Sequence, residues 1–304
     1  MQLSVVICTL NRQNIIQRTL YALSQCTFER PWELLVVDNG GEDHTRAIVQ
    51  SFDRFLPVSY QREPRRGKFH ALNRAIALAA SDRLIFLDDD ILVRPDFLQV
   101  YSKAFDDHPE MALFGGPVEL DLPPDHDADL VSVPQAHAVL AQSDYGPEPR
   151  ELKWPHCPIG GNMAVRRDLL SSDLVYQPIR QHGFTMEFAL EDLLFCKRVM
   201  ALGQRAMYLP QARVRHIVRP EQLRLGYFSE RYAHALIGQE ILDEIGPTRQ
   251  WLNVPRYHLR RLIFRAARFI RSLPSDRRKR LASYIDFSAA LRIVRYYQKR
   301  EVAR

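Results

Sequence analysis

The chain has 304 residues, with 42 Lys and Arg against 36 Asp and Glu, a formal net charge of +6 at pH 7. That length holds one large or two modest domains, and 46% hydrophobic with 26% charged residues excludes a disordered or fibrous chain. No stretch approaches the roughly 20 apolar residues that cross a bilayer, and four cysteines without CxxC spacing (Cys8, Cys26, Cys157, Cys196) suggest neither a zinc site nor a disulfide framework.

A reducing cytoplasm is the expected setting, since the first residues run straight into a strand pattern without a basic leader. The charge is unevenly placed. Residues 256–304 carry 15 Lys and Arg and 3 Asp and Glu, whereas the other 255 residues carry 27 and 33. A mildly acidic body is therefore followed by a strongly basic end.

Taken in order, Leu3 to Cys8 is an apolar run that ends at Thr9-Leu10-Asn11-Arg12, and a helical pattern follows through Ile15, Ile16, Leu20 and Leu23. Glu33 to Val37 predicts a second buried strand, closing in Asp38-Asn39-Gly40-Gly41. Asp43 is placed to cap the next helix, whose apolar face includes Ala47, Ile48 and Phe52. Val58-Ser59-Tyr60 predicts a short strand before Arg65-Arg66-Gly67-Lys68 and a helix from His70 to Ala80.

The next stretch, Arg83-Leu84-Ile85-Phe86-Leu87-Asp88-Asp89-Asp90-Ile91, organises the rest. A buried strand ends there in three consecutive carboxylates, which repel one another unless something cationic joins them. Hard oxygen ligands suit magnesium or manganese (Mg2+ or Mn2+), which commonly bridge carboxylates to phosphates; the alternative is a solvated acidic turn. Buried strands alternating with helices predict an α/β fold with an open, mostly parallel sheet flanked by helices, and such sheets bind ligands beyond the carboxyl ends of their strands. Thr9, Asp38, Gly67 with Lys68, and Asp88 to Asp90 all fall on that edge.

Residues 120–158 are rich in Pro, Asp and His and poor in period, which predicts a functional loop or lid. Cys157 to Val165 returns to order, with Gly160 and Gly161 allowing a close backbone approach or a tight turn. Glu187 to Leu202 predicts a helix containing Glu191-Asp192, stopped by Gly203; Arg213 to Val218 predicts a strand with His216 in it. Beyond Pro220 the pattern is helical. Leu259, Leu262, Ile263, Ala266, Phe269, Ile270 and Leu273 keep one apolar stripe among Arg260, Arg261, Arg265, Arg268 and Arg271. Such an element lies on an anionic membrane surface, caps the preceding domain with its stripe, or does both.

With these residues in view, the chain resembles the inverting glycosyltransferases of family 2, which have the GT-A nucleotide-diphospho-sugar transferase fold. The likeness covers residues 3–220 and rests on VVICTLNR, VVDNGGED, GKFHALN, FLDDD, IGGN, LEDLLFCKRVMALG and a lone later histidine, in that order. It implies a catalytic domain over 1–220, with a nucleotide-binding half (1–118) and an acceptor-binding half (119–220), and a basic helical region over 221–304. It implies nucleotide-sugar contacts from Thr9, Asn11, Arg12, Asp38, Asn39, Arg65, Gly67, Lys68, Asp88 and Asp89. Asp38 suits a uracil N–H, or else it closes its own turn.

The same resemblance implies metal ligation by Asp90 with Asp88 and His216, although a run of three acids keeps Asp89 open as a ligand and a lone strand histidine is often structural. Asp192 is implied as general base, Glu191 as its positioning partner, and Gly160, Gly161 and Asn162 as the acceptor side. The implied reaction moves one sugar from a nucleotide-sugar, with a lean to a UDP-sugar, to a glycan or polyprenyl-lipid-linked acceptor. A Q-x-x-R-W motif and membrane-spanning helices, marks of processive synthases of the family, are missing, which favours single transfer. The protein is then expected in the cytoplasm or peripheral on the inner face of the membrane, through residues 256–304. Two other readings carry less: a nucleotidyltransferase of similar fold, which usually has a glycine-rich loop where Thr9 to Arg12 has none, and a nucleic-acid-binding protein, for which no reading module is present.

Overall fold

The computed structural model describes residues 2–170, 176, 179–181, 184–186, 190–243, 250–251 and 254–299. Strand β1 (Leu3–Thr9) is buried along its whole length. Helix α1 (Gln13–Ser24) joins it to β2 (Trp32–Asp38), and α2 (Thr45–Gln50) leads to β3 (Val58–Arg62). Asp43 serves both helices: Oδ2 accepts from the Gln13 N–H and Oδ1 from that of Thr45, each at 3.0 Å. Helix α3 (Lys68–Leu78) precedes β4 (Arg83–Asp88) and starts two residues before His70, just after Gly67, whose φ of 122° a side chain would resist.

After β4 the chain changes sheets. Strand β5 (Ile91–Val93), helix α4 (Phe97–Asp107), β6 (Met111–Gly115) and β7 (Val118–Asp121) follow. The segment that follows, read from the sequence as a functional loop or lid, contains short regular elements. It holds α5 (Ala128–Val131), α6 (Ala136–Val139) and strand β8 (Arg150–Leu152), elements too short to show a period. Next come β9 (Asn162–Arg166), the hairpin of β10 (Ile179–Gln181) and β11 (Phe184–Met186), helix α7 (Glu191–Ala201), β12 (Arg205–Tyr208) and β13 (Val214–Ile217). Residues 187–189 of the helix expected over 187–202 lie outside the described residues. Helix α8 (Leu225–Leu242), the short pair β14 (Gln250–Trp251) and β15 (Val254–Pro255), α9 (Arg256–Ser272) and α10 (Arg277–Lys299) complete the chain.

The main sheet runs β3-β2-β1-β4-β9-β6-β12-β8. Strands β1 to β4 are parallel, as are β6 and β12, but β9 is antiparallel to both neighbours and β8 to β12. Both faces are covered. Val5, Ile7, Val36 and Ile85 point to α1 and α4, and Val6, Leu35, Val37 and Phe86 to α3 and α7, so each strand reads as continuously apolar. A second sheet, β5-β13-β7, begins where β4 ends and pairs His216 with Ile91.

Two compact units result: residues 1–121 with 143–217, and residues 122–142 with 218–304. Where the sequence suggests one boundary at 220, the chain therefore crosses between units three times. In the second unit, Gln135 donates to Asp286 at 2.8 Å, and Arg277 pairs with Asp127 and Asp129. Helix α9 packs on α10 through Phe269, which stacks with Phe287 at 5.9 Å between ring centroids.

Candidate active site

The three carboxylates closing β4 are divided between two cations. Asp88 Oδ1 accepts from Lys68 Nζ at 2.7 Å. Asp89 and Asp90 turn instead to Arg12, whose guanidinium donates to them at 2.9 and 2.8 Å. Thr9 Oγ1 also donates to Asp89, at 2.7 Å, and Thr19 Oγ1 to its carbonyl. Burial pushes the Asp89 carboxyl up to about 6 against the pull of Arg12, with Asp90 adding to the rise. Thr9 and Arg12 thus meet the acidic run; Thr9 is buried, with its hydroxyl already engaged, while the Arg12 side chain stays 37% exposed.

His216 reaches this cluster because β13 pairs with β5, one residue past the acids, and the Ile217 N–H donates to the Asp90 carbonyl at 2.8 Å. Its Nε2 lies 3.4 Å from Asp90 Oδ2. Among the described residues no group of three or more His, Cys, Asp or Glu side chains is gathered tightly enough to hold a metal ion unaided. One carboxylate and one imidazole at that spacing still suit a hard divalent ion that takes its remaining ligands from phosphates and water. Asp88, expected as a further ligand, faces Lys68.

On its other side Lys68 Nζ lies 3.4 Å from Glu191 Oε1, which ties β4 to the start of α7. Burial alone would lower the Lys68 pKa; Asp88, then Glu191 and Asp192, more than offset this and hold it well above the usual value. Asp192 Oδ2 accepts the Gly160 N–H at 2.7 Å and Oδ1 accepts its own helix's Leu193 N–H at 2.8 Å. Burial, then the neighbouring Glu191 charge, pushes the Asp192 carboxyl up to about 6, with Lys68 opposing. Lys68, Asp88, Gly160, Tyr176, Glu191 and Asp192 line one cleft; Asp90 does not reach its wall.

Two glycines bring backbone against these acids. A Cβ at Gly161 would stand 3.0 Å from Asp88 Oδ2, and one at Gly160 would stand 2.8 Å from Asp192 Oδ2. Because the added methyl would also stand 2.9 Å from the Asp192 Cβ, Gly160→Ala should displace the whole side chain, lowering activity about a hundredfold and the melting temperature as well, which an activity assay and a thermal melt check together. Asn162 departs from its expected acceptor role. It is fully buried, takes the Tyr101 hydroxyl at 2.7 Å and donates to the Pro117 and Ala212 carbonyls, which is structural work.

The remaining residues build the rim at the ends of β1 to β3. Asp38 accepts from the Gly41 N–H and from the Tyr60 hydroxyl, each at 2.7 Å. Asn11, at φ 52°, accepts the Glu42 N–H. Asn39 donates to the Glu63 and Arg65 carbonyls and accepts the Gly67 N–H, so it shapes the loop into α3. Arg65 forks onto buried Glu63 with its outer face exposed. Tyr60, Glu63 and Tyr176 escape sequence reasoning. Tyr60 carries the one available signal, since the register β2–β3 places it diagonally beside the Asp38 end.

Residues 4–172 match the family model described as Glycosyl transferase family 2. A Bacillus subtilis protein described as an uncharacterized glycosyltransferase is 31% identical over 116 residues, 38% of this chain and 30% of its own length, so the chain spans under a third of that relative. The glucosyl-dolichyl phosphate glucuronosyltransferase of Haloferax volcanii is 25% identical over 224 residues, 71% of this chain and 69% of that one. Among solved structures, S. aureus TarS 1-349 in complex with UDP-GlcNAc superposes with a TM-score of 0.58 at 16% identity, over 98% of this chain and 92% of that one, a likeness of fold.

Proposed function

The chain belongs to glycosyltransferase family 2 and has the GT-A fold, and from that premise we propose an inverting, metal-dependent transfer of one sugar from a nucleotide-sugar. The reading rests foremost on the cleft in which Asp88 and the Glu191-Asp192 pair meet across Lys68. The donor is a UDP-sugar, as bound by the TarS fold relative, and the acceptor a glycan or polyprenyl-linked hydroxyl, a class that the Haloferax relative's dolichyl phosphate substrate supports. Membership of a sugar-transferring family supersedes the nucleotidyltransferase and nucleic-acid readings.

Asp192 is the general base. A sugar hydroxyl is a weak nucleophile, so the Asp192 carboxylate takes its proton while the oxygen attacks the anomeric carbon opposite the departing diphosphate. The Gly160 N–H and the first turn of α7 fix that carboxylate in place, and Glu191 steadies Lys68 beside it. Asp38 faces the base through the lone pairs that Gly41 and Tyr60 leave open, while Asp88 meets the ribose. Asp90 and His216 would hold Mn2+ or Mg2+, whose charge would support the leaving diphosphate. Thr9 and Arg12 position Asp89 and Asp90.

A thermal-shift series with UDP, GDP and CDP, each with and without Mn2+, tests this. UDP at about a hundred times its dissociation constant should raise the melting temperature by roughly 5 °C with Mn2+, and far less after Asp90→Ala. No shift from any nucleotide, together with no transfer from a panel of nucleotide-sugars, would end the reading.

A further inference from the structure

Helix α9 carries two apolar faces, and only one has a partner in its unit. Leu259, Leu262, Ala266 and Phe269 are half-buried, on the side where Phe269 meets Tyr284 and Phe287 of α10. Ile263, Phe264 and Ile270 are 71%, 67% and 64% exposed, and Leu273, just past the helix, is 52% exposed. The helical spacing of Arg260, Ile263, Phe264, Ala267 and Ile270 sets them along one outward ridge. Scattered exposed apolar residues are ordinary, but a contiguous ridge of this kind marks a contact surface.

The charges beside the ridge select the partner. Six arginines and no acid lie within Arg256–Ser272. Arg261 is paired with Glu240, and Arg268 with Asp286. Arg260 and Arg271 have no ion-pair partner among the described residues. A second copy docking by the same ridge would set arginine against arginine with no carboxylate from that helix to answer it. A nucleic acid would satisfy the arginines and leave Ile263, Phe264 and Ile270 in water. An anionic bilayer answers both demands, taking the apolar side chains between its headgroups and the guanidinium groups onto its phosphates. No described helix is long and apolar enough to cross a membrane, so this one lies in the interface.

We propose that α9 docks on anionic membrane through Ile263, Phe264, Ile270 and Leu273, with Arg260 and Arg271 at the headgroups. This stands independently of the reaction proposed above. The test floats the full chain on density gradients with vesicles of phosphatidylcholine alone or mixed with phosphatidylglycerol. The protein should rise with the mixed vesicles only and be released by salt. Ile263→Ser with Phe264→Ser should lower its partitioning at least about tenfold. Arg260→Gln with Arg271→Gln should lower it about fivefold per arginine. Both pairs are surface changes, and an unchanged melting curve confirms that they fold.

Three results would overturn the proposal. One is a wild-type chain that stays at the bottom with phosphatidylglycerol present. Another is a serine pair that floats like the wild type. The third is a failure to float combined with a dimer in solution that the serine pair dissolves, which would assign the ridge to a second copy. Nucleotide binding is measured separately in the thermal-shift series, so either reading can fail alone.

Discussion

Asp192→Asn should lower kcat by between about a hundredfold and ten-thousandfold while UDP binding stays near the wild-type value. The amide keeps the shape of the carboxylate but cannot accept the acceptor's proton. Geometry makes the loss specific, because Asp192 is held by the Gly160 N–H at 2.7 Å and stands in the cleft with Asp88. The pH profile gives a second reading of the same group. Burial sets the Asp192 carboxyl at about 6, and a base works only when deprotonated. Turnover of the wild type should therefore be level above neutrality and fall about tenfold per pH unit below about 6. Full transfer by Asp192→Asn, or an acid limb near the usual carboxylate value, would remove Asp192 from the mechanism.

Lys68→Met should cost both stability and turnover. Lys68 faces Asp88 at 2.7 Å and Glu191 at 3.4 Å, and its loss leaves neighbouring carboxylates without a cation. Breaking a fully buried pair costs about 3–5 kcal/mol; Lys68 and Asp88 are each more than a third exposed, so roughly 1–3 kcal/mol is expected. The sign with pH follows from the acids. Lys68 has its pKa held above the usual value and stays charged through the neutral range, so the change there comes from Asp192. Above about 7 Asp192 is ionised and the variant suffers most. As pH falls through about 6, Asp192 takes up a proton, one repulsion disappears, and the gap to the wild type narrows. Denaturant unfolding at pH 5.5 and pH 8 checks this; a gap that widens on acidification would contradict it. The acid limb of turnover should also move upward in the variant, because a cation that lowers the Asp192 pKa is gone.

The stretch from Arg83 to Asp90 shows how far sequence reaches. Its apolar run and acidic end identify a buried strand with a polar terminus, and β4 ends at Asp88. Sequence could not say that the acids would part company, one to Lys68 and two to Arg12, since the cations come from distant segments. The antiparallel course of β9 was equally hidden: a strand covered on both faces has the same apolar look in either direction. The short helices within residues 120–158 left no trace in the sequence, because a four-residue helix completes barely one turn. On α9 the periodicity correctly marked apolar positions, but only packing against α10 separated inward Leu262 and Phe269 from outward Ile263 and Phe264. Asn162 shows the reverse error, a residue beside two site glycines whose polar groups all point into the interior.

The stretch 122–142, which joins the carboxyl-terminal helices through Gln135 and Asp127, bears on how the polypeptide is made. It leaves the ribosome well before Asp286 and Arg277 have been synthesised, so its two short helices must wait, unpaired, for the last part of the message to be translated. A polypeptide shortened at its carboxyl side would keep that wait permanently, exposing Leu130 and Val139, which are buried in the complete chain.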